Sequence, residues 1–94
     1  MKCITEYGTY NVSVEKMEYK NNGNLAVQLI DEEDGCPFAM LTVNLGKKLP
    51  EGHAYLDTNN CPWAEAFVTE NNLAENTEMV GFSGYCMYPL YKFK

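Results

Sequence analysis

The chain has 94 residues, a length that fits one domain around one hydrophobic core, so we treat residues 1–94 as a single domain. Its formal net charge is −6, from 13 acidic residues against 7 lysines, and it contains no arginine. Because arginine normally supplies the bidentate contacts to phosphate and to guanine, this composition argues against direct nucleic-acid binding and favours a protein partner with a basic surface.

The sequence also argues against a membrane-bound or secreted protein. It has no apolar run of about 18 residues, and its N-terminal stretch MKCITEYGTY lacks the continuous apolar segment of a signal peptide. We therefore expect a cytoplasmic protein with no membrane contact, in which the four cysteines stay reduced.

Two strands joined by a tight turn are predicted in the first third of the chain. Residues 9–19 alternate apolar and polar side chains, and a change of phase near Glu15 and Lys16 indicates a β-bulge. Asn22-Gly23 follows, a pair that accepts the positive φ values of a hairpin turn. Residues 25–30 (LAVQLI) then alternate as the return strand.

An acidic loop follows at residues 31–36 (DEEDGC), and we define it by its four carboxylates, Asp31, Glu32, Glu33 and Asp34. The spacing of an EF-hand is missing, so calcium binding is not predicted. A solvated turn is the simplest interpretation of the loop. The functional interpretation is a contact patch for a basic protein partner.

The middle of the chain predicts a central strand and a second, short one. Residues 37–45 (PFAMLTVNL) are apolar on both faces of an extended chain, which is typical of a strand covered on both sides. A turn-rich connection leads to a short strand at residues 54–57.

A helix is predicted over about residues 62–72. Pro62 suits the first helical position, which makes Cys61 the N-cap. Trp63 and Phe67 lie four residues apart and form an apolar stripe. An asparagine at position 71 or 72 is expected to take the left-handed conformation that ends the helix, with Leu73 folding back onto the last turn.

The C-terminal part is predicted as a loop at residues 74–78 followed by one or two strands at residues 79–93. Gly81 and Gly84 indicate a bend or bulge, and Pro89 places the last strand at a sheet edge, since proline cannot donate to a ladder. The complete pattern predicts an α+β domain, an antiparallel sheet of four to six strands with the helix packed on one face.

Two residue types, cysteine and histidine, remain as candidates for chemistry. Cys61, at a predicted helix start, is either a nucleophile, a metal or disulfide partner, or a small buried residue; the last is the expected role. No C-x2-C spacing is present, so no metal site is predicted; if a metal is bound, the ligands expected are Cys61, Cys86 and His53. No cofactor motif and no catalytic motif occurs, so we do not expect an enzyme.

Tyrosines near the C-terminus are candidates for partner binding. The functional interpretation of Tyr85, Tyr88 and Tyr91 is an exposed aromatic surface, because tyrosine combines a large contact area with a polar tip and is enriched in protein interfaces. Sheet packing is the simplest interpretation of the three, and Tyr85 and Tyr88 are the residues we name for partner binding.

Four stretches of the sequence, NNGNLAVQLID, PFAMLTVNL, LDTNNCPWAEAFVTENNL and GYCMYPLYKF, together resemble a small domain family of unknown function. The resemblance covers about residues 8–93, and its most specific blocks are DTNNCPW and YPLYKF. Cys3 and Cys36 lie outside these blocks. The family is carried on conjugative elements, plasmids and prophages of Gram-positive bacteria, so the resemblance implies a mobile-element protein but no assigned activity.

Three functions are consistent with these observations. The first is a non-enzymatic protein that binds another protein, an anti-defence inhibitor of the anti-CRISPR or anti-restriction type, with contacts at the acidic loop and at Tyr85 and Tyr88. The alternative is a regulatory or structural component of conjugation or plasmid maintenance, with a homodimer formed through the C-terminal edge strand. A cysteine-based metal-binding module is a third interpretation.

Overall fold

The computed structural model describes residues 1–94 and contains eight strands and one short helix. Strands hold 53% of the residues, so the chain is mostly β and the predicted α+β class is wrong. The elements are β1 (Lys2–Thr5), β2 (Gly8–Glu18), β3 (Leu25–Asp31), β4 (Pro37–Met40), β5 (Thr42–Val43), β6 (His53–Leu56), α1 (Ala64–Glu70), β7 (Ala74–Ser83) and β8 (Cys86–Phe93).

The strands form two four-stranded antiparallel sheets rather than the single sheet predicted. The first sheet has the order β1-β2-β3-β4, and the second has the order β5-β6-β8-β7. One cluster of 14 buried residues joins them and includes side chains from both sheets and from α1. The core therefore lies between the two sheets, with the helix closing part of the gap.

Leu41 is the point where the chain passes from one sheet to the other, and it explains why one predicted strand is two. Its N–H donates to the Val27 carbonyl of β3 at 2.9 Å, and its carbonyl accepts from the Asp57 N–H, just after β6, at 2.9 Å. Its side chain is fully buried. The apolar run 37–45 is therefore a corner between β4 and β5, not one central strand.

The predicted hairpin of the first sheet is confirmed, but the predicted bulge is wrong. β2 and β3 pair without interruption from Val12 opposite Asp31 to Glu18 opposite Leu25. The apolar alternation of β2 changes near Lys16 because the strand face that carries Val12 and Val14 continues with the polar Lys16. The pairing register with β3 does not shift there. The turn is closed by Tyr19 N–H donating to the Asn24 carbonyl at 2.9 Å, and Gly23 supplies its positive φ of 72°.

The helix is shorter than predicted, and its start differs. It runs from Ala64 to Glu70, and its N-cap is Trp63, so the prediction that Cys61 caps the helix and Pro62 opens it is wrong. Residues 57–61 instead form a turn in which Cys61 N–H donates to the Asp57 carbonyl at 2.8 Å. An Asp57 side-chain oxygen accepts from the Asn60 amide at 2.9 Å and fixes that turn.

The predicted end of the helix is confirmed. Asn72 has a φ of 54°, Leu73 N–H donates to the Val68 carbonyl at 2.8 Å, and Asn72 N–H donates to the Thr69 carbonyl at 3.1 Å. These two bonds are the pair that defines a Schellman motif. The side chain of Leu73 packs against the core, so the chain leaves the helix directly into β7.

Aromatic rings connect the first sheet to the helix. Tyr10 of β2 and Phe38 of β4 have ring centroids 4.9 Å apart, and Phe38 lies 6.0 Å from Trp63. Trp63 meets Phe67 edge-on at 6.2 Å. Offset and edge-on contacts of this kind add to the area that the rings bury, so they hold the helix start against the sheet. No helix has the length and apolarity needed to cross a membrane.

Two predictions for the C-terminal strands are wrong. Residues 74–78 are the first half of β7 rather than a loop, with a register shift between Asn76 and Met79. Pro89 does not lie on an edge strand, since β8 is flanked by β6 and β7. The proline is tolerated because β6 pairs only with residues 90–92 of β8, which leaves Pro89 with a strand on one side only.

Candidate protein-interaction site

A two-stranded hairpin extends beyond the second sheet and is the candidate site. It consists of residues 79–89, which we call the arm, and within it β7 pairs with β8 from Val80 opposite Pro89 to Ser83 opposite Cys86. β6 makes no ladder pair with β8 before Leu90. The arm is therefore the part of the sheet that has no third strand.

The turn of the arm is built by Gly84 and Tyr85. Ser83 pairs with Cys86, so the loop has two residues, and Gly84 has a φ of 60° at its first position. A positive φ at the first position alone defines a type II′ turn, whose twist matches that of the strands. The turn places the side chain of Tyr85 at the tip, where it is fully exposed.

The inner face of the arm is apolar and uncovered. Side chains alternate along β8, so the face that carries Tyr91 and Phe93 into the core continues with Pro89 and Met87. Opposite them on β7 are Val80 and Phe82. Relative exposures are 44% for Val80, 68% for Phe82 and 57% for Met87, so a continuation of the core face lies in solvent.

The outer face of the arm is packed at Tyr88, although Met79 on the same face is 63% exposed, and this packing corrects the prediction for Tyr88. Tyr88 forms a small second cluster with Tyr55 and Leu90, where it is only 8% exposed. The expectation that Tyr88 is an exposed contact residue is wrong, because alternation turns its ring toward this cluster. Tyr88 supports the arm, while Tyr85 remains the exposed tyrosine of the predicted pair.

The net charge of the protein comes from one continuous segment of the sequence, which includes the arm. Residues 49–91 contain no lysine and six carboxylates, while the rest of the chain has the remaining seven acids and all seven lysines, which balance. The six are Glu51, Asp57, Glu65, Glu70, Glu75 and Glu78. The segment that holds β6, the helix and the arm therefore accounts for the whole charge of −6, and a basic surface would be attracted to it.

The acidic loop belongs to the other sheet, and half of its carboxylates stabilise the loop itself. A side-chain oxygen of Asp31 accepts from the Glu33 N–H at 2.9 Å, and one of Asp34 accepts from the Cys36 N–H at 2.9 Å. Glu32 bonds to the N-terminal ammonium group at 3.2 Å. Only the exposed Glu33 has no bond of its side chain, so the loop combines turn chemistry with surface charge.

The residues proposed as metal ligands are separated in the fold. Cys61 is buried in the main core cluster, while Cys86 packs beside the outer-face cluster. His53 opens β6, where its Nδ1 lies 3.1 Å from the Glu51 carbonyl. No group of three or more histidine, cysteine, aspartate or glutamate side chains is arranged to hold a metal ion.

Cys61 has the environment of a buried structural thiol. It is 6% exposed, and its thiol donates to the Met40 carbonyl at 3.7 Å. Burial, followed by the nearby Asp57 and Glu6 carboxylates, raises the pKa of Cys61 to about 11. A thiolate is the reactive form of cysteine, so this setting opposes the nucleophilic role considered for Cys61.

A cavity of about 480 Å³ opens between the sheets at the opposite end of β8 from the arm. Lys16, Lys48 and Lys94 line it together with Glu18 and Glu51. Each of the three ammonium groups donates a hydrogen bond. Lys16 donates to the main-chain oxygen of Lys94, Lys48 to the main-chain carbonyl of Asn22, and Lys94 to the side-chain amide oxygen of Asn72.

The fold and the arm define a class: a small β domain of two sheets with an exposed apolar hairpin. The chain belongs to the family described as Domain of unknown function (DUF4313), whose model matches residues 13–94. This confirms the expected membership in a family of unknown function. The match begins within β2, so β1 lies outside it. No curated protein and no solved structure matches the chain.

Proposed function

We propose that the protein binds another protein through the arm and that it is not an enzyme. The observation that carries the proposal is the uncovered inner face, where Val80, Phe82 and Met87 continue the core face into solvent. Soluble proteins rarely expose a contiguous apolar surface without a partner for it. Aromatic residues and methionine are also the residue types enriched at the centres of interfaces.

The partner in this proposal has a basic surface. The arm supplies apolar contact area, and the exposed Glu75 and Glu78, which precede it on β7, supply attraction to lysine and arginine. Complementary charge raises the association rate and selects among partners more than it adds affinity. The acidic loop of the first sheet is a second, weaker source of the same attraction.

The most specific form of the proposal is an anti-defence inhibitor of the anti-CRISPR or anti-restriction type. Enzymes that hold nucleic acid have basic surfaces, and an acidic protein without arginine is suited to occupy them. The resemblance to a family carried on mobile elements of Gram-positive bacteria supports the same role. We also propose a cytoplasmic location, which is where such enzymes act and where the four free cysteines would stay reduced.

Site-specific photo-crosslinking in cells tests this proposal. A photoreactive phenylalanine analogue replaces Tyr85, and in the control protein it replaces Tyr7. The two positions match, because each is the second residue of a two-residue hairpin turn, Tyr85 between β7 and β8 and Tyr7 between β1 and β2. Both side chains are highly exposed. We expect a protein crosslinked from position 85 and not from position 7, and a captured nuclease or CRISPR effector would support the inhibitor.

The other outcomes decide between the alternatives. Capture of conjugation or replication proteins from position 85 would favour a component of conjugation or plasmid maintenance. The absence of any crosslink from position 85, or the same products from both positions, would contradict binding through the arm.

A further inference from the structure

The protein has four strands at sheet edges, and only one of them is long and open. β1 and β4 have four residues each, and β5 has two. The Lys2 carbonyl of β1 accepts the side-chain amide of Asn71, and β4 begins with Pro37. β7 has ten residues and no strand beyond it. Since proteins usually shorten or block their edges, β7 is the exception in this fold.

The two halves of β7 differ in how they are protected. The first half carries Glu75 and Glu78 and contains the register shift, with Glu78 at a φ of 66°. The second half, residues 79–83 (MVGFS), has no charge, no proline and no shift of register. Charges and bulges are the usual means by which proteins prevent another strand from pairing with an edge. The first half of β7 is therefore protected against such pairing, and residues 79–83 are not.

The main-chain groups available on this edge follow from the turn. In a type II′ hairpin, Ser83 and Cys86 exchange hydrogen bonds, and pairs alternate along an antiparallel ladder between bonded and non-bonded. The pairs of Val80 with Pro89 and of Phe82 with Met87 are therefore non-bonded. The N–H and carbonyl groups of Val80 and Phe82 thus point away from β8, toward the open edge.

The opposite side of the arm is closed to the same use. In the same two non-bonded pairs, the main-chain polar groups of Pro89 and Met87 point away from β7, toward the side on which β6 lies. β6 ends before it reaches these two residues, so it does not bond to them. Proline has no N–H, so a strand added on that side would lack a bond at position 89. One side of the arm is therefore blocked by proline, and the other side has the outward-pointing donors and acceptors of Val80 and Phe82.

We propose that β7 takes up an extended segment of the partner as an additional strand along Val80–Phe82. The segment has apolar residues that lie beside the inner face of the arm and lysine or arginine at its flanks. The inference rests on the proposed function and adds the mode of binding. Glu75 and Glu78 precede this edge on the same strand, so their charge favours a basic segment over a second copy of this chain, which would bring the same two carboxylates to the edge.

A backbone change that keeps every side chain tests this inference. Ligation at Cys61 joins residues 1–60 to a synthetic segment 61–94, so the full chain is made with a methyl group on one main-chain nitrogen. The test protein is methylated at Phe82, and the matched control at Met87, whose N–H points to the other side of the arm. A second test protein is methylated at Val80. Circular dichroism checks that all three proteins fold.

The probe is a fluorescent peptide of alternating valine and threonine with flanking lysines, compared with its glutamate-flanked counterpart. Methylation at Phe82 or Val80 is expected to weaken binding of the lysine-flanked peptide about tenfold, as loss of one hydrogen bond and crowding of the edge imply. Methylation at Met87 is expected to leave the affinity unchanged. The glutamate-flanked peptide is expected to bind more weakly to every version.

Equal affinities for the proteins methylated at Phe82, Val80 and Met87 would overturn strand addition. A different outcome in light scattering is a dimer that dissociates when Phe82 is methylated, while neither peptide binds. That result would overturn the basic partner and would identify a second copy of the chain as the added strand. The crosslink from position 85 to the partner also separates the two proposals. If Phe82→Ser abolishes this crosslink but methylation at Phe82 does not, the arm binds the partner and the proposed function stands, but strand addition is overturned.

Discussion

Gly81 of β7 lies against the ring of Tyr55 of β6, and this contact attaches the arm to the rest of the second sheet. A Cβ on Gly81 would lie 2.6 Å from Cε1 of Tyr55 and 2.9 Å from Cδ1 of Leu45. Real Cβ atoms do not approach other atoms so closely, so any larger residue would displace the ring or the arm. Glycine is required here for close approach, not for an unusual backbone angle.

Gly81→Ala is therefore expected to destabilise the protein by about 1–3 kcal/mol, as overpacking of a filled site does. The same change in a Tyr55→Leu background, where the ring is absent, is expected to cost less. Urea unfolding of the two single variants and the double variant measures the coupling. If the losses in free energy of unfolding of the two single variants add up to that of the double variant, the Tyr55 ring does not limit the size of the residue at position 81.

Leu41 provides a test of the two-sheet architecture. Its side chain is fully buried where the chain changes sheets, so Leu41→Ala is expected to lower the free energy of unfolding by about 2–5 kcal/mol. The neighbouring Met40 is 39% exposed, and Met40→Ala is expected to cost much less. Equal losses for the two variants in chemical denaturation would contradict the corner at Leu41.

The cysteines are expected to differ in reactivity. Burial, followed by the neighbouring Cys61, raises the pKa of Cys3 to about 11, and burial raises that of Cys61 to about 11. Cys36 is exposed. A thiol reagent at neutral pH should label Cys36 first and reach Cys3 and Cys61 only after unfolding, which peptide mapping can follow. Rapid labelling of Cys61 in the folded protein would revive the nucleophile considered from the sequence.

Stability is expected to fall in alkali. A raised pKa means that folding favours the protonated form, so the stabilisation is complete below the unfolded pKa and is lost as pH rises through the folded one. For the two buried thiols this window runs from 9 to about 11. Burial and the bond to Glu65 raise the pKa of Tyr91 to about 12, which extends the fall. Tyr91→Phe should remove the last part of it in denaturant titrations at stepped pH.

The charges around the arm are expected to affect the association rate more than the dissociation rate. Neutralising Glu75 and Glu78 to glutamine should slow association with a basic partner and flatten its salt dependence. Neutralising Glu32 and Glu33 in the acidic loop should have a smaller effect of the same sign. Stopped-flow association at several salt concentrations measures both, and unchanged rates for the Glu32 and Glu33 variant would rule out the loop as a contact.

Parts of the fold that depend on local chemistry were predictable from the sequence. Asn22-Gly23 and the alternation on either side of it gave the β2–β3 hairpin, and Asn72 with Leu73 gave the end of the helix. In both places a few neighbouring residues determine the backbone, since a positive φ or an alternating face needs no information from distant parts of the chain.

The change of sheet at Leu41 was not predictable in this way. An apolar run on both faces fits a central strand and a corner equally well, because either buries every side chain. The start of β7 was missed for a related reason. Residues 74–78 (AENTE) are mostly polar, as a loop would be, but they lie on an edge strand whose side chains largely face water.

The candidate site was only partly accessible from the sequence. Tyr85 is a candidate from the sequence because tyrosine favours interfaces, whereas nothing in the sequence separates Phe82 and Met87 from ordinary strand residues. An exposed phenylalanine and a buried one look the same in a sequence, and only the lack of a third strand beside the arm distinguishes them.

The most direct test of the central claim is the dissociation constant of the protein crosslinked from position 85, measured for two matched double variants. Phe82→Ser with Met87→Ser removes the apolar inner face of the arm. Ile4→Ser with Tyr7→Ser removes comparably exposed side chains from the β1–β2 hairpin. Binding through the arm predicts a loss of about 30-fold or more for the first variant, as truncation of interface hot spots gives, and little change for the second. Equal affinities for both variants would contradict it.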